Sequence, residues 1–331
     1  MVAYTGIQGS NILIVSSDPA NPVEGQIWYN STSNLLKGYS FTSAAWATGG
    51  NLGSAVYANG GSGTKTAAIS FAGINKPNSP FTVVTRTESY NGSAWTTVNS
   101  MNVPQYSPGS AGSQTSTLAF GGAASPASNQ TESWNGTSWT NKPTMNTTRG
   151  DSVGCAGSGN TSALAFGGGT PKINTESWNG TSWTTVNSLN VPGNYGVGGA
   201  GLQTAALRWG GSADPAPGNQ NTTESWNGSA WTTLNPLTYG RRTYYGAGSQ
   251  TSALCYPGGT TPPSPANTAS TEVWNGTSWA VGASVAAGRS EYGAATASTI
   301  SGGAIFGSGT PGNAMEVYTG ASLTTKTLTT S

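Results

Sequence analysis

Eleven carboxylates, twelve lysines or arginines and two thiols carry whatever acid–base, ionic or nucleophilic chemistry this chain of 331 residues can perform, because it contains no histidine. The missing imidazole removes the commonest general base, the usual partner of a serine or cysteine nucleophile, and the commonest metal ligand. Cys155 in VGCAG and Cys255 in ALCYPGG stand alone. A pair this sparse is no disulfide framework and cannot hold zinc without further ligands. Both read as buried free thiols packed as small apolar groups.

Six of the acids recur in one repeated motif: Glu88, Glu132, Glu176, Glu224, Glu272 and Glu316. A repeat distributes them one per structural unit, whereas a glycosidase needs two carboxylates facing one bond. Their expected role is structural: accepting hydrogen bonds, or pairing with Arg149, Arg241 or Arg242, and Arg289. The other acids, Asp18, Glu24, Asp151, Asp214 and Glu291, form no evident pair. The same arginines could make a sialidase-like cluster, but no Asp-box pattern accompanies them. The Gly-Gly pairs are not phosphate loops, since no Lys-Ser/Thr follows and no helix is expected. The expectation is therefore no enzyme, no cofactor and no metal, with a glycan-processing activity as a distant alternative.

The elements that position these residues are β-strands. Charged residues are only 7% of the chain and Gly numbers 49, yet twelve Trp and thirteen Tyr supply large buried area per residue. That composition favours a rigid, loop-rich β protein over a disordered tail. A net charge of +1 without a basic stripe argues against nucleic acid. No apolar run approaches the ~20 residues that span a bilayer. The N-terminal residues lack the basic region and long apolar core of a signal peptide, so release from a cell is expected to rely on lysis.

One repeat dominates. TESYNGSAW (87–95), TESWNGTSW (131–139), TESWNGTSW (175–183), TESWNGSAW (223–231) and TEVWNGTSW (271–279) are followed by a worn copy, EVYTG (316–320), that has lost its Trp. The motif glutamates lie 44 or 48 residues apart. In phase with them run TAAISFAG, TSTLAFGG, TSALAFGGG, TAALRWGG, TSALCYPGG and SGGAIFGSG, apolar strands ending in Gly-rich corners. Asn-Gly in each motif predicts a two-residue type I′ turn, which would place Trp134 opposite Thr137 and Glu132 opposite Trp139. Both tryptophans then project to one face as diagonal neighbours. The NGS and NGT triplets are explained by this turn chemistry without glycosylation. A hairpin with an aromatic face is unstable alone, and a small-residue segment before each apolar strand suits an innermost strand. Four strands per period is the size of a propeller blade. Burying one Trp removes roughly 150–250 Å² from water, about 4–6 kcal/mol as an upper bound. Ten of the twelve Trp, all but Trp28 and Trp209, occupy hairpin positions when Trp46 is counted.

A Gly-Gly after an apolar strand, then an aromatic and a spaced Trp across a hairpin, resembles the kelch repeat. The copies depart from it in the short interval from Trp134 to Trp139 and in the Asn-Gly turn. The expected fold is all-β, a kelch-like β-propeller of four-stranded blades, with residues 47–331 forming six repeats. Residues 1–46 form a separate N-terminal β segment. Two readings of residues 11–46 stand, a compact seventh blade or an attachment module ahead of a six-bladed ring, and the sequence leans to the seventh blade. The run EGQIWYN (24–30), LKGY (36–39) and Trp46 resembles a module of tailed-phage structural proteins, especially of marine and cyanobacterial phages, which often precedes kelch-like repeats. The resemblance implies a virion protein, a tail fibre, tail-tip component or capsid appendage, extracellular after host lysis.

In a propeller the loops between second and third strands share a face with the blade-to-blade connections. Those loops (74–81, 123–129, 170–173, 212–221 and 260–269) vary, and function tends to sit in variable loops on a rigid scaffold. The connections add Tyr106, Tyr195, Tyr239, Arg241, Arg242 and Tyr244 as candidate binding-face residues, a set suited to a glycan or a protein surface. Two functions follow: an adhesin contacting host-surface polysaccharide or protein, or a purely architectural capsid or tail component. The expected partners are other virion proteins, reached through residues 1–46, and a host surface. A homo-oligomer is compatible with either.

Overall fold

A computed structural model of the chain describes residues 12–75, 81–123, 128–150, 154–168, 172–212, 218–243, 245–260, 268–308 and 312–328. It divides into two compact units, one running from Trp46 to Thr319 and the other comprising the residues up to Ala45 together with those from Gly320 onward.

The larger unit is built from six antiparallel four-stranded sheets, the blades of a β-propeller. Blade 2 shows the plan: inner strand Gly109–Ser113, then Ser116–Phe120, Thr131–Trp134 and outer strand Trp139–Lys142. Blades 1, 3, 4, 5 and 6 begin with the inner strands Gly60–Thr64, Gly154–Gly159, Gly198–Leu202, Gly246–Gly248 and Gly293–Ala295. Small residues here are a steric requirement. A Cβ on Gly199 of blade 4 would lie 2.6 Å from the Cys155 carbonyl oxygen of blade 3.

Each blade is fastened to its predecessor by the second aromatic of its hairpin. Trp139 packs on Phe71 of blade 1, Trp183 on Phe120 of blade 2, Trp231 on Phe166 of blade 3 and Trp279 on Trp209 of blade 4, with ring centroids 5.0–5.2 Å apart. Their indole Nε1 groups donate at 2.9–3.0 Å to the hydroxyls of Thr87, Thr131, Thr175 and Thr223, the first residue of the preceding motif. Trp183→Phe keeps the ring contact but deprives the buried Thr131 hydroxyl of its donor. A loss of about 1–2 kcal/mol is expected, read as a lower urea midpoint with an unchanged m-value.

The same relation closes the ring with six blades. Trp46 packs on Tyr256 of blade 5 at 5.9 Å, and Trp95 of blade 1 packs on Phe306 of blade 6 at 4.9 Å. Trp46 lies on Ala45–Thr48, the outer strand of blade 6 beside Met315–Thr319, and pairs with Tyr318 at 5.3 Å. The Gly293 amide of blade 6 donates to Asn59 Oδ1 before blade 1 at 2.9 Å. The leaning toward a seventh blade is therefore corrected. Residues 11–46 place their last aromatic in the sixth sheet, and the aromatic cycle is complete without another.

The hairpin tips also differ from expectation. Trp134 pairs directly with Trp139, and Glu132 with Asn141, across the four-residue loop 135–138. Among the non-glycine residues with positive φ no tip Asn occurs, whereas Gly136 has φ 93°, so the turn is not type I′. Instead the Asn135 side-chain oxygen accepts the Thr137 and Ser138 amides at 2.9 Å, and Asn91, Asn179, Asn227 and Asn275 do the same. An Asn side chain that imitates a backbone turn tolerates the longer loop and brings the two rings into tilted contact, centroids 5.5 Å apart and planes at 44°.

The smaller unit is one sheet ordered Leu13–Val15, Ile27–Asn30, Leu35–Thr42, Ser322–Thr327, with its first pair parallel. Ser322–Thr327, which the sequence reading grouped with the repeats, pairs antiparallel with Leu35–Thr42. Asp18 pins the sheet by accepting Trp28 Nε1, Asn30 Nδ2 and Lys37 Nζ at 2.8–3.0 Å. The Lys37 bond, with help from Asn30 and Trp28, holds the Asp18 carboxyl down to about 2.

Candidate functional site

The repeat glutamates are internal fastenings. Glu176 is fully buried, and its oxygens accept the Asn146 amide at 2.7 Å, the Thr147 amide at 3.1 Å and Arg149 Nη2 at 3.0 Å. Each glutamate thus grips the chain segment that leads into its own blade. Glu132, Glu224, Glu272 and Glu316 likewise accept amides of Asn102, Asn190, Thr238 and Ala286. Arg241 pairs with Glu272 at 2.6 Å, and Arg289 with Glu316. Arg86 and Arg208 supply the cation for Glu88 and Glu224, partners that the sequence reading did not name.

Arg241 is consequently removed from the binding face. It is fully buried, bonding the Ser270 carbonyl oxygen as well as Glu272. Its neighbour Arg242 points the other way and is exposed, as alternation along the short strand Arg241–Arg242 demands. Tyr244 lies outside the described residues, as do parts of all the variable loops. Tyr195 and Tyr239 are both exposed.

The connections and the second-to-third-strand loops do share a face, joined by bridges such as Tyr57 to Ile74, Tyr106 to Ala123 and Ser128 to Arg149. At the centre of that face lies a cavity of about 350 Å³ lined by Ala58, Tyr106, Ser107, Tyr195, Arg242 and Glu291, among others. Its geometry follows from one recurring backbone position. Two residues before the inner-strand glycine, Ala58, Ser107, Gly196 and Glu291 all adopt left-handed φ of 51–64°, a conformation that turns the incoming chain downward into the hub. At Gly196 the missing side chain also matters, because a Cβ would lie 2.8 Å from the Arg242 Cβ.

The structure brings Tyr106, Tyr195 and Arg242 together, and leaves Tyr239 outside the lining. It adds Ser107 and Glu291, which sequence reasoning missed. The signal was there: counting back two residues from Gly60, Gly109, Gly198 and Gly293 selects the four residues of this turn. The opposite mouth of the hub, about 190 Å³, is lined by small uncharged residues such as Thr64, Ser113, Ser158 and Ser298.

Between the two mouths a buried tyrosine reaches across the hub. The Tyr245 hydroxyl of blade 5 donates to the Pro108 carbonyl oxygen before blade 2 at 2.5 Å. Blades 2 and 5 are opposite members of a ring of six, so this phenol crosses the axis. Tyr292 donates to the Pro257 carbonyl oxygen, and Tyr256 to that of Ala295 at 2.7 Å. All three tyrosines are buried. Burial raises their phenols above the ordinary range and pushes the Cys155 and Cys255 thiols up to about 11 and about 12.

These groups keep their protons in the folded chain after the unfolded chain has begun to lose its own. Their stabilising contribution is complete below the unfolded values, about 8.5 for thiol and 10 for phenol. It is lost as pH climbs through the raised ones. Urea midpoints are therefore expected to hold near neutrality and fall progressively above about pH 9. A thiol reagent at pH 8 should find both cysteines only after unfolding.

Among the described residues no three His, Cys, Asp or Glu side chains gather to hold a metal. Fold and site together define a six-bladed β-propeller with a tyrosine across its hub and one chemically furnished mouth. No protein-family model matches the chain, and no curated protein matches it either.

Proposed function

We propose that the chain is a non-enzymatic adhesion protein of a virion, presenting the loop face of its propeller to a host surface. One observation carries the adhesive part. The repeat glutamates and their arginines are consumed inside the ring, while exposed Tyr195 and Arg242 and half-buried Tyr106 and Glu291 collect on a single face around a cavity. The opposite face ends in uniform Asn-Gly tips with nothing to discriminate one partner from another. Glu291 is the only carboxylate among the described lining residues, which favours recognition over glycoside hydrolysis. The virion setting rests on the resemblance of residues 24–46 and the repeats to tailed-phage structural proteins.

Purified protein carrying a fluorescent label, mixed with a panel of marine bacteria including cyanobacteria, tests adhesion. Retention on particular strains is expected, and uniform failure to bind rejects the reading. A purely architectural role has one observation in its favour: Ile14, Val23 and Phe41 of the smaller unit are more than half exposed, a surface suited to docking on another virion protein.

A further inference from the structure

We propose that the five exposed hairpin tips are sites of spontaneous modification, at which the tip asparagine loses ammonia and becomes a carboxylate. The chemistry is intramolecular. The backbone nitrogen of the following glycine attacks the asparagine Cγ, and the new C–N bond closes a five-membered succinimide as the Cγ–Nδ2 bond breaks. The glycine proton passes through solvent to the departing nitrogen, which leaves as ammonia. Water then opens the ring to aspartate or isoaspartate. It is the only co-reactant. Glycine suits the step because no side chain crowds the attacking nitrogen.

The chain holds six Asn-Gly pairs, and the fold treats them differently. Asn91, Asn135, Asn179, Asn227 and Asn275 are exposed at the tips. Each side-chain oxygen accepts two backbone amides at 2.8–3.0 Å. Negative charge develops on that oxygen as the nitrogen attacks, so the two amides stand where an oxyanion hole places its donors. Among the described residues no hydrogen bond engages the Nδ2 group or the glycine amide of any tip. Leaving group and nucleophile are both free. Asn59, before Gly60, is the opposite case. It is fully buried, its Nδ2 donates to Ser70 Oγ at 2.9 Å, and its Oδ1 accepts the Gly293 amide.

The tips also differ among themselves. Ser93, Thr181 and Ser229 add a hydroxyl donor to the oxygens of Asn91, Asn179 and Asn227 at 2.9–3.0 Å. Asn135 and Asn275 accept amides alone. The tips with three donors should therefore react first. Asn135 and Asn179 give the cleanest comparison, because both lie in the same nine residues, TESWNGTSW. Each event adds one negative charge, so five take the net charge from +1 to −4. The face of uniform tips turns acidic, while the loop face keeps its chemistry.

The test incubates the full-length chain, folded or in urea, in mildly alkaline oxygen-labelled water and maps its peptides by mass spectrometry. In the folded chain, label is expected at the five tips and not at Asn59, with Asn179 ahead of Asn135. In urea Asn59 should react as the tips do, and Asn179 should match Asn135. Thr181→Val, checked for folding by circular dichroism, should slow Asn179 roughly 2–10-fold, the rate equivalent of about one neutral hydrogen bond. Asn91 in the same variant should keep its pace. The proposal is overturned by tips that stay unlabelled while the chain is folded, or by Asn59 reacting at their pace. An Asn179 that never leads Asn135, or that ignores the loss of the Thr181 hydroxyl, overturns it equally.

Discussion

Glu176→Ala is expected to destabilise the propeller by about 3–5 kcal/mol, the effect of breaking a fully buried ion pair from one side. Two costs combine. Arg149, fully buried, loses its Glu176 partner and keeps a charge that burial already disfavours, since its guanidinium lies below the ordinary arginine value for that reason. The partly buried amides of Asn146 and Thr147 also lose their acceptor in the connection to blade 3, at less than the about 1–3 kcal/mol that a fully buried unsatisfied donor costs. With roughly 2–4 °C per kcal/mol for a unit of this size, melting should fall by roughly 6–20 °C. Glu176→Gln, which keeps an acceptor but not the charge, should fall between wild type and alanine. An alanine variant that melts with wild type would show that the repeat glutamates fasten nothing.

Removing residues 1–48 should have the larger effect, loss of the native monomer. The outer strand of blade 6 disappears, uncovering the edge of Met315–Thr319 together with the faces of Tyr318 and Tyr256 on which Trp46 lies. An unpaired edge with exposed aromatics recruits another chain. Light scattering on the purified product should show aggregates or strand-exchanged oligomers. Because this truncation also dismantles the smaller sheet, Trp46→Ala isolates the closure. It should cost about 2–4 kcal/mol, below a fully buried Trp because Trp46 is only half-buried. A monomer starting at residue 49 with wild-type melting would mean that the ring closes some other way.

The closing strand also marks where the sequence was legible and where it was not. Spacing of TESWNG motifs announced blades, strand order and the aromatic seams, because those depend on residues close together in the chain. The sixth motif looked worn for want of a Trp, and Trp46 looked like a hairpin aromatic of a different segment, residues 1–46. They are one hairpin position divided between the two ends of the ring, and no local pattern reveals a pairing over such a distance. The turns misled for another reason. Asn-Gly is a strong type I′ signal, yet the Asn side chain can close a longer loop, and two extra residues shift the register of everything opposite. Arg241 and Arg242 were indistinguishable as letters, and only the direction of a two-residue strand sends one inward to Glu272 and the other to the mouth.

The ladder between Leu35–Thr42 and Ser322–Thr327 joins segments that lie far apart in the sequence. Trimming either one leaves a row of backbone donors and acceptors on the other without partners, so loss of one segment opens the other to pairing with a foreign chain.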